Sequence, residues 1–549
     1  MVETKVKSSQ TVKRQVAPKA PQKQQKNNVA EVKQTAIIKP KASELKVCQT
    51  PKEEKVTVNN INQQQQEQPK AQPIKKSILF VASEAQPFCA TGGLADIACG
   101  LPRFIKSQKP EIDIRVILPL YSFIKPEYKN KFTYLGNKYV KLSWRNEYCG
   151  IFEYKLNGMT YYFVDNEKYF KRDRMYGYND DNERFAFFSK AVLESLSITN
   201  FFPDIIHVND WQTALIPTYL KTIAWQDGRY NRIKTVLNIH NLQYQGRFGI
   251  KTIEDVIGID RRYQGILEQD GDVNYLKSAI VTADRIVAVS PSYSEEIKYS
   301  NSGCGLNKII KQNEYKLSGI LNGLDYDFYN PETDNIIYKN YNINSIELRK
   351  ENKMKLQKDW GLEVNPDIPM VAIVSRMEKH KGLDLVKQCM EKLIIENNIQ
   401  LVGVGEGANE YHDYFRYLNN KFPKQCHINI GYSLEIGKII YSATDIFVMP
   451  SLVEPCGLAQ MVASRYGAVP IVRETGGLKD SIRDFGCKGG GNGYTFSNYS
   501  VSDLVYSIKR ALNDFKDKKS WEEKIKTVMK VDFSWDKTAQ KYIEIYFSL

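Results

Sequence analysis

Short apolar runs alternate with helical stretches along most of this chain, and this alternation limits the possible fold more than any other feature. The first run, Ile78 to Ala82, is continuously apolar, as is typical of a parallel strand covered on both faces. Apolar residues then recur at helical spacing from Leu94 to Ile105, and "IDIRVILPLY" predicts a second strand. Strand, glycine turn, helix and strand make a βαβ unit, which predicts a doubly wound α/β sheet.

The same alternation occurs twice. "PDIIHV", "KTVLNIH" and "RIVAVS" continue the first series, and "PMVAIVSR", "IQLVGVGEG", "CHINIGY", "TDIFVMPS" and "AVPIVRE" form a second one. We therefore predict two doubly wound Rossmann-like domains facing a central cleft, where ligands bind in open α/β sheets. The first domain is placed at residues 77–330, an interdomain connection at 331–365 and the second domain at 366–533. Asn157-Gly158 between two aromatic-rich runs predicts one β-hairpin.

The first 76 residues differ from the rest in composition. They hold 16 Lys or Arg and 6 Asp or Glu, so they carry +10 of the chain's net charge of +14. The tail is mostly Lys, Gln, Pro and Val with almost no aromatic residues, and such a composition cannot bury enough apolar surface to offset the entropy of ordering. We predict a disordered basic tail, which is either a solvated linker or an arm for an acidic partner.

Composition also excludes several classes of function. No run approaches the roughly 18 apolar residues of a membrane span. Nine scattered cysteines without a CxxC pair and only five histidines argue against a disulfide framework and against a metal site. The tail lacks the interleaved aromatic residues of a nucleic-acid surface. We expect a cytoplasmic protein, or a plastid one in a plant or alga, with no membrane or nucleic-acid partner; its oligomeric state is left open.

Two glycine turns open predicted helices: Thr91-Gly92-Gly93-Leu94 and Thr475-Gly476-Gly477-Leu478. Glycine allows backbone N–H groups to approach a ligand closely, and a helix N-terminus adds partial positive charge, so both turns suit phosphate. The alternative is that the glycines serve only a tight strand-to-helix turn.

Three charged residues follow predicted strands of the second domain. Arg376 and Lys381, in "SRMEKHKG", could hold one anion, with surface solvation as the alternative. Glu454 leaves the strand "DIFVMPS", and Cys456-Gly457-Leu458 then begins a helix whose free N–H groups could meet phosphate. The alternative for Glu454 is a partner for the helix dipole.

These stretches, with "SEAQPFCATGGLADIACGLP", "NDWQTALIP", "IHNLQYQG", "GILNGLDYDFYNPETD" and "DFSWDKTAQKYIEIY", resemble bacterial glycogen synthases and plant starch synthases, ADP-glucose-dependent glucosyltransferases of the GT-B fold. The resemblance runs from about Ser77 to the C-terminus. It implies retaining transfer of glucose to the non-reducing end of an α-1,4-glucan such as glycogen or starch, with no metal or cofactor. It also implies that a C-terminal helix, residues 534–549, packs on the first domain.

The resemblance assigns roles to individual residues. The donor diphosphate is expected between the Gly92-Gly93 turn and the pair Arg376 and Lys381. The other assignments are Glu454 to the glucosyl unit, Asp181 to an acid near the reacting sugar, Tyr432 to adenine, and Asp96, His207 and Asn322 to the sugar and phosphates. The alternative for His207 is a core or surface role. We expect front-face displacement without a covalent glucosyl-enzyme, because a nucleoside diphosphate is a good leaving group whose charge the cations and amides can stabilise.

Three positions depart from the family pattern. Ala90 stands where most relatives have Lys before TGGL, Ala459 where Thr is common after EPCGL, and Gln212 where many have His. Loss of one charge-assisted contact at Ala90 is worth about 1.5 to 3 kcal/mol, enough to weaken donor binding about tenfold or more. Two alternatives stay open: a synthase that uses UDP-glucose, and a catalytically weak glucan-binding relative.

Overall fold

Two large sheets organise the chain in the computed structural model, which describes residues 75–224 and 227–549. The predicted tail, apart from its last two residues, lies outside the described residues, so its disorder stays a prediction. Within the described residues, no helix is long and apolar enough to cross a membrane.

In the described part, nine strands form the first sheet in the order β12-β11-β7-β6-β1-β2-β5-β4-β3, and three short ones form a side sheet in the order β8-β10-β9. In chain order these strands are β1 (Ser77–Val81), β2 (Asp113–Pro119), β3 (Thr133–Leu142), β4 (Arg145–Leu156), β5 (Met159–Asp165), β6 (Ile205–Asn209), β7 (Lys234–Ile239), β8 (Arg247–Gly249), β9 (Glu268–Gln269), β10 (Asp272–Asn274), β11 (Arg285–Ala288) and β12 (Leu317–Gly319). β1 lies between parallel neighbours β2 and β6 and is buried from Ile78 onward, as its apolar run predicts.

The predicted hairpin interrupts the parallel order. β4 and β5 pair antiparallel with Leu156 opposite Met159, so Asn157 and Gly158 form a two-residue turn. Both turn residues have positive φ, 49° and 76°, as a type I′ turn requires. The hairpin prediction is therefore confirmed, and β3 extends it as the edge strand.

The helices of this first half cover the two faces of the sheet. They are α1 (Gly93–Gln108), α2 (Pro126–Lys129), α3 (Glu167–Phe170), α4 (Asp181–Ile198), α5 (Leu215–Thr222), α6 (Gln264–Leu267), α7 (Tyr275–Thr282), α8 (Pro291–Tyr299) and α9 (Asn307–Gln312). α1 begins at the first glycine turn and buries Leu94, Ile97, Leu101 and Ile105, which are four of its apolar residues at helical spacing.

Six parallel strands form the second sheet of the described chain in the order β15-β14-β13-β16-β17-β18. The strands are β13 (Met370–Val374), β14 (Gln400–Gly405), β15 (Cys426–Ile430), β16 (Ile446–Met449), β17 (Val469–Arg473) and β18 (Tyr494–Phe496). The helices are α10 (Arg349–Asp359), α11 (Leu383–Asn397), α12 (Asn409–Lys421), α13 (Leu434–Ala443), α14 (Ala459–Arg465), α15 (Gly476–Ser481), α16 (Val501–Asp514), α17 (Lys518–Lys530) and α18 (Trp535–Phe547). The predicted pair of doubly wound α/β sheets is confirmed.

Each sheet has one topological switch point, where the chain reverses its direction of strand addition. It lies between β1 and β6 in the first sheet and between β13 and β16 in the second. Ligands bind outside the carboxyl ends of parallel strands at such a point. The loops after these four strands are therefore where a site is expected.

The last helix, α18, returns to the first sheet. Trp535 lies so close to Gly100 of α1 that a Cβ there would come within 2.5 Å of its indole nitrogen. Farther along, Asn238 Nδ2 donates to Tyr542 Oη at 3.0 Å, and Tyr546 Oη is 2.6 Å from His207 Nδ1. α18 thus packs on the first half of the chain.

The predicted connection, 331–365, contains α10, which packs on the second sheet. Lys353 Nζ donates to Asp445 Oδ2 at 2.6 Å, and both side chains are buried. Gln357 Nε2 donates to Gln400 Oε1 at 2.7 Å. The assigned domain boundaries stay predictions, but these contacts attach α10 to the second half.

Candidate active site

The second sheet contributes cations and a carboxylate at its switch point. Arg376 and Lys381 lie between β13 and α11, and Glu454 follows β16, the neighbour of β13. Lys381 Nζ donates to Glu454 Oε2 at 2.6 Å, with only 13% and 7% of the two side-chain surfaces exposed. Ser451 Oγ donates to the same oxygen at 3.1 Å. The structure thus joins Lys381 to Glu454 and leaves Arg376 exposed.

His380 also belongs to this cluster, although sequence reasoning missed it. Burial, together with the positive charges of Lys381 and Arg376, lowers its pKa to about 4. Its Nε2 atom is buried and has no hydrogen-bond partner among the described residues. A neutral imidazole with an unused polar atom is therefore available beside the Lys381–Glu454 pair.

The first sheet contributes a buried carboxylate that holds the first glycine turn. Glu84 follows β1, and its Oε2 accepts hydrogen bonds from the backbone N–H of Thr91 at 2.5 Å and from Thr91 Oγ1 at 2.9 Å. Gly92 and Gly93 remain exposed. Glu84 therefore fixes the start of the turn and leaves its glycines open to a ligand.

Three carboxyl groups near this switch point have raised pKa values. Burial raises the pKa of Glu84, Asp96 and Asp210 to about 7 each. The charge of Glu84 adds to the rise at both aspartates. Perturbed carboxyl groups collected in a cleft are a common mark of a functional site. They suit hydroxyl groups, which can donate to a carboxylate or accept from a carboxylic acid.

A histidine at the end of β7 completes this side. Asn209 Oδ1 lies 2.9 Å from His240 Nε2, and because an amide oxygen only accepts, Nε2 carries the proton. Burial lowers the pKa of His240 to about 3, so the ring is neutral. Asp210 Oδ1 accepts from the backbone N–H of His240 at 2.7 Å, with Asp210 in a left-handed conformation, φ 54°. Strain of this kind concentrates at functional sites.

The two sides face each other at the first glycine turn. A Cβ added to Gly93 would lie 3.3 Å from Leu458 Cδ1, in the loop before α14. In the same loop, burial raises the pKa of Cys456 to about 12, and hydrogen bonding from Asn322 lowers it in part. The structure therefore brings the predicted residues Gly93, Asn322, Cys456 and Leu458 together between the two sheets.

Other predicted residues lie around this contact. Tyr432, in the loop after β15, is 76% exposed. Desolvation by the surrounding protein raises the pKa of its phenol, and the charge of Asp96 adds to the rise. Asn322 Oδ1 is buried and has no hydrogen-bond partner in the described structure. Gly457 has a φ of 74°, which favours glycine. An exposed aromatic ring and an unused amide oxygen are both available to a ligand.

The second glycine turn was predicted to face the cleft, but its donor groups bind protein oxygens instead. The N–H of Gly476 donates to Glu296 Oε1 at 2.7 Å, and the N–H of Gly477 donates to the backbone oxygen of Glu454 at 3.1 Å. Thr475 Oγ1 also contacts Glu296, at 3.2 Å. The structure therefore corrects the prediction of a phosphate cradle at Thr475, Gly476 and Gly477, because protein oxygens already accept hydrogen bonds from their donor groups.

His207 is also corrected. It lies within β6, fully buried, with its ring 4.6 Å from that of Phe80 and its Nδ1 against Tyr546. Burial lowers its pKa to about 3, so it is a neutral core residue. His240, which follows β7 one strand farther along the sheet, lies beside the switch point instead, in contact with Asn209 and Asp210.

Asp181 stands at the start of α4 with both oxygens in use. Oδ1 pairs with the buried Arg184, and Oδ2 accepts from the N–H groups of Gly177 and Tyr178 at 2.8 and 3.2 Å. The loop it holds includes Tyr176, whose Oη lies 2.8 Å from Ser83 Oγ, next to Glu84. Asp181 thus shapes the loop beside the first switch point.

A topological signal could have found the missed residues. Glu84 and Asp210 lie in the loops after the strands that flank the first switch point, as Glu454 does in the second sheet. Strand order is not visible in one sequence, but an acid within a few residues of a predicted strand end is.

Comparison with known proteins identifies the family. The model described as "Starch synthase catalytic domain" matches residues 77–312, and "Glycosyl transferases group 1" matches 355–528. Glycogen synthases of Clostridium botulinum and Bacillus cereus are 46% and 43% identical over 478 and 476 residues, 86% of this chain and 99% of each relative. The chain belongs to the glycogen and starch synthase family. It is a glycosyltransferase acting on glucan.

Solved structures agree with this family assignment. The catalytic domain of starch synthase IV from Arabidopsis thaliana, bound to ADP and acarbose, matches with a TM-score of 0.81 and 29% identity, covering 86% of this chain and 99% of that one. Sucrose-phosphate synthase from Thermosynechococcus elongatus matches at 14% identity and a TM-score of 0.55, which shows the fold alone. The predicted GT-B fold and the predicted family are confirmed.

Proposed function

We propose that this family member transfers glucose from ADP-glucose to the non-reducing end of an α-1,4-glucan with retention of configuration. The observation that carries the proposal is the Lys381–Glu454 pair at the second switch point, 2.6 Å between charged atoms. It stands in the sheet that meets the open Gly92-Gly93 turn at Leu458. The related starch synthase IV structure, with ADP and acarbose, supports a nucleotide-sugar donor and a glucan acceptor.

The distribution of charge supports a direction for the donor. Arg376 and Lys381 offer cations on the second sheet, where the diphosphate would be held and its developing charge stabilised. Glu84, Asp96 and Asp210 offer carboxyl groups on the first sheet, where sugar hydroxyls would be bound. Tyr432 is exposed and flat, and it would pack on adenine. Glu454, released from Lys381 by the arriving phosphate, would bind the glucosyl unit.

Front-face displacement fits the carboxylates better than a covalent intermediate. Retaining glycosidases use a carboxylate as nucleophile beside an acid. Here both oxygens of Asp181 have protein partners, and Ser451 still holds Glu454 Oε2 when the arriving phosphate takes Lys381. We therefore assign deprotonation of the acceptor hydroxyl to the departing diphosphate itself, with the cations holding it in place.

The proposal is tested with labelled ADP-glucose and UDP-glucose competing for incorporation into glycogen. We expect glucose incorporation from ADP-glucose to exceed that from UDP-glucose, and mass spectrometry of stalled enzyme to show no glucosyl adduct on Glu454 or Asp181. Glu454→Gln should abolish most incorporation, whereas Glu435→Gln, at an exposed position in α13, should not. If the enzyme prefers UDP-glucose, the assignment of ADP-glucose as donor is wrong. If the protein binds glucan but releases no nucleotide, it is a glucan-binding protein without transferase activity.

A further inference from the structure

Two short helices from the two halves of the chain cap each other. α8 follows β11 in the first sheet, and α15 follows β17 in the second. The N–H and Oγ of Ser292, at the start of α8, each donate to the carboxylate of Asp480 in α15 at 2.7 Å. The N–H of Gly476, at the start of α15, donates to Glu296 in α8 at 2.7 Å. Each helix thus receives a carboxylate from the other.

This exchange satisfies groups that a helix cannot satisfy alone. The first N–H groups of a helix lack intrahelical acceptors and carry partial positive charge. Within the described residues, the N-cap Thr475 makes no side-chain capping bond to α15. Glu296 is therefore the side-chain acceptor for the first N–H group of α15, that of Gly476. Capping by a carboxylate from a different half of the chain ties two helices and two sheets together.

The capped helix start also carries the Glu454 loop. The N–H of Gly477 donates to the backbone oxygen of Glu454, and a Cβ on Gly476 would come within 2.1 Å of that oxygen. From the first half, Ser290 Oγ donates to the backbone oxygen of Pro455 at 2.6 Å. The Glu454–Pro455 segment is thus held both by α15 and by the residue that begins α8.

Side chains also connect Glu296 to Glu454, through Arg473 and Ser451. Glu296 acts electrostatically on Arg473, whose Nε donates to the backbone oxygen of Ser451 at 2.8 Å. Ser451 Oγ in turn donates to Glu454 Oε2. Backbone and side chain of Glu454 are therefore both connected to Glu296.

We propose that Glu296 and Asp480 are positioning residues, which hold the Glu454 loop in register with the first sheet by capping each other's helices. They touch no substrate and act through the start of α15. The inference rests on the proposed role of Glu454 in binding the glucosyl unit. A carboxylate displaced by about 1 Å loses much of its effect on a transition state, so loosening the caps lowers kcat more than it raises the donor KM.

The first experiment compares Glu296→Ala, Asp480→Ala and the double variant with Glu295→Ala. Glu295 is a neighbouring α8 glutamate that is exposed and pairs with Lys298. We expect kcat for glucose incorporation to fall about tenfold in each single variant and hardly further in the double, because residues that act as one unit are not additive. Glu296→Gln should recover most of the rate, since its amide oxygen can accept from Gly476. Full kcat in the single variants, or additive losses, would overturn the proposal.

A second measurement does not depend on activity. Hydrogen exchange of the wild-type chain should protect the N–H groups of Gly476, Gly477 and Ser292, and Glu296→Ala should raise exchange at residues 476–478 without global unfolding. If hydrogen exchange at residues 476–478 is the same in Glu296→Ala as in the wild type, the two helices do not cap each other. Faster exchange with unchanged kcat would overturn its positioning role. Failure of the wild type to incorporate glucose, with the exchange effects intact, would instead reject the proposed function.

Discussion

The two TGGL turns have the same four residues and opposite uses. At the first, Gly92 and Gly93 are exposed, and a Cβ on Gly92 would meet no atom of the described residues within 4 Å. At the second, a Cβ on Gly477 would lie 2.1 Å from the backbone oxygen of Cys456. Glycine at position 92 of the first turn borders open space, whereas glycine at the second turn allows a close approach of the protein's own backbone. A short motif thus indicates a close approach and leaves open what approaches.

If the first turn faces the leaving phosphates, removing the cations assigned to those phosphates should give the largest effect. Arg376→Ala combined with Lys381→Ala removes two charge-assisted contacts, each worth about 1.5 to 3 kcal/mol. We expect kcat/KM for ADP-glucose to fall by about 10² to 10⁴. Lys387→Ala, in α11 and away from Glu454, is the matched control. Near-normal incorporation by the double variant would mean that the donor phosphates do not bind at Arg376 and Lys381.

The second turn should respond through stability. In Gly477→Ala the added methyl group meets the backbone of Cys456, and overpacking of this kind costs about 1 to 3 kcal/mol. Gly92→Ala meets open space and has an extended φ of −168°, so its free energy of unfolding should change by less than about 1 kcal/mol. Urea unfolding of both variants measures the difference. Equal stabilities would break the comparison between the turns.

Strand alternation and the hairpin were predictable because apolar runs and Asn-Gly turns are local signals. Arg376, Lys381 and Glu454 were found for a similar reason, since each lies in a loop that follows an apolar run. The errors at His207 and at the second turn have a different cause. Whether His207 points into the core and whether Gly476 faces a ligand depend on α18 and α8, which are far away in sequence. Glu84 was missed because only the fold shows that it binds Thr91.

The residue before the first turn offers a test by addition. Ala90 is exposed and lies next to Thr91, which Glu84 holds. The resemblance to the family predicts Lys at this position. Ala90→Lys restores one cation beside the turn, and we expect the KM for ADP-glucose to fall up to about tenfold, the equivalent of about 1.4 kcal/mol. Lysine placed before the second turn, in Glu474→Lys, should give no such gain. No change in Ala90→Lys would mean that another group already supplies the charge.

The smallest expected effect concerns pH and Glu84. Burial raises the pKa of Glu84 from 4.5 to about 7, so the folded state binds more protons than the unfolded state between these values. Through this group, the free energy of unfolding therefore falls as pH rises from about 5 to 7, and Glu84→Gln should weaken that decline. The remaining decline in the variant should come from Asp96 and Asp210, whose pKa values are also raised to about 7.

The same ionisation bears on the open turn. An ionised Glu84 holds Thr91 but places negative charge beside the proposed diphosphate, so donor binding should take up protons and the KM for ADP-glucose should rise severalfold from pH 6 to pH 8. In Glu84→Gln the rise should be smaller, whereas the exposed control Glu167→Gln should reproduce the wild type. If Glu84→Gln leaves the pH profile of KM unchanged, ionisation of Glu84 does not affect donor binding. The first turn would then be held by Glu84 for its shape alone, as the second is held by Glu296.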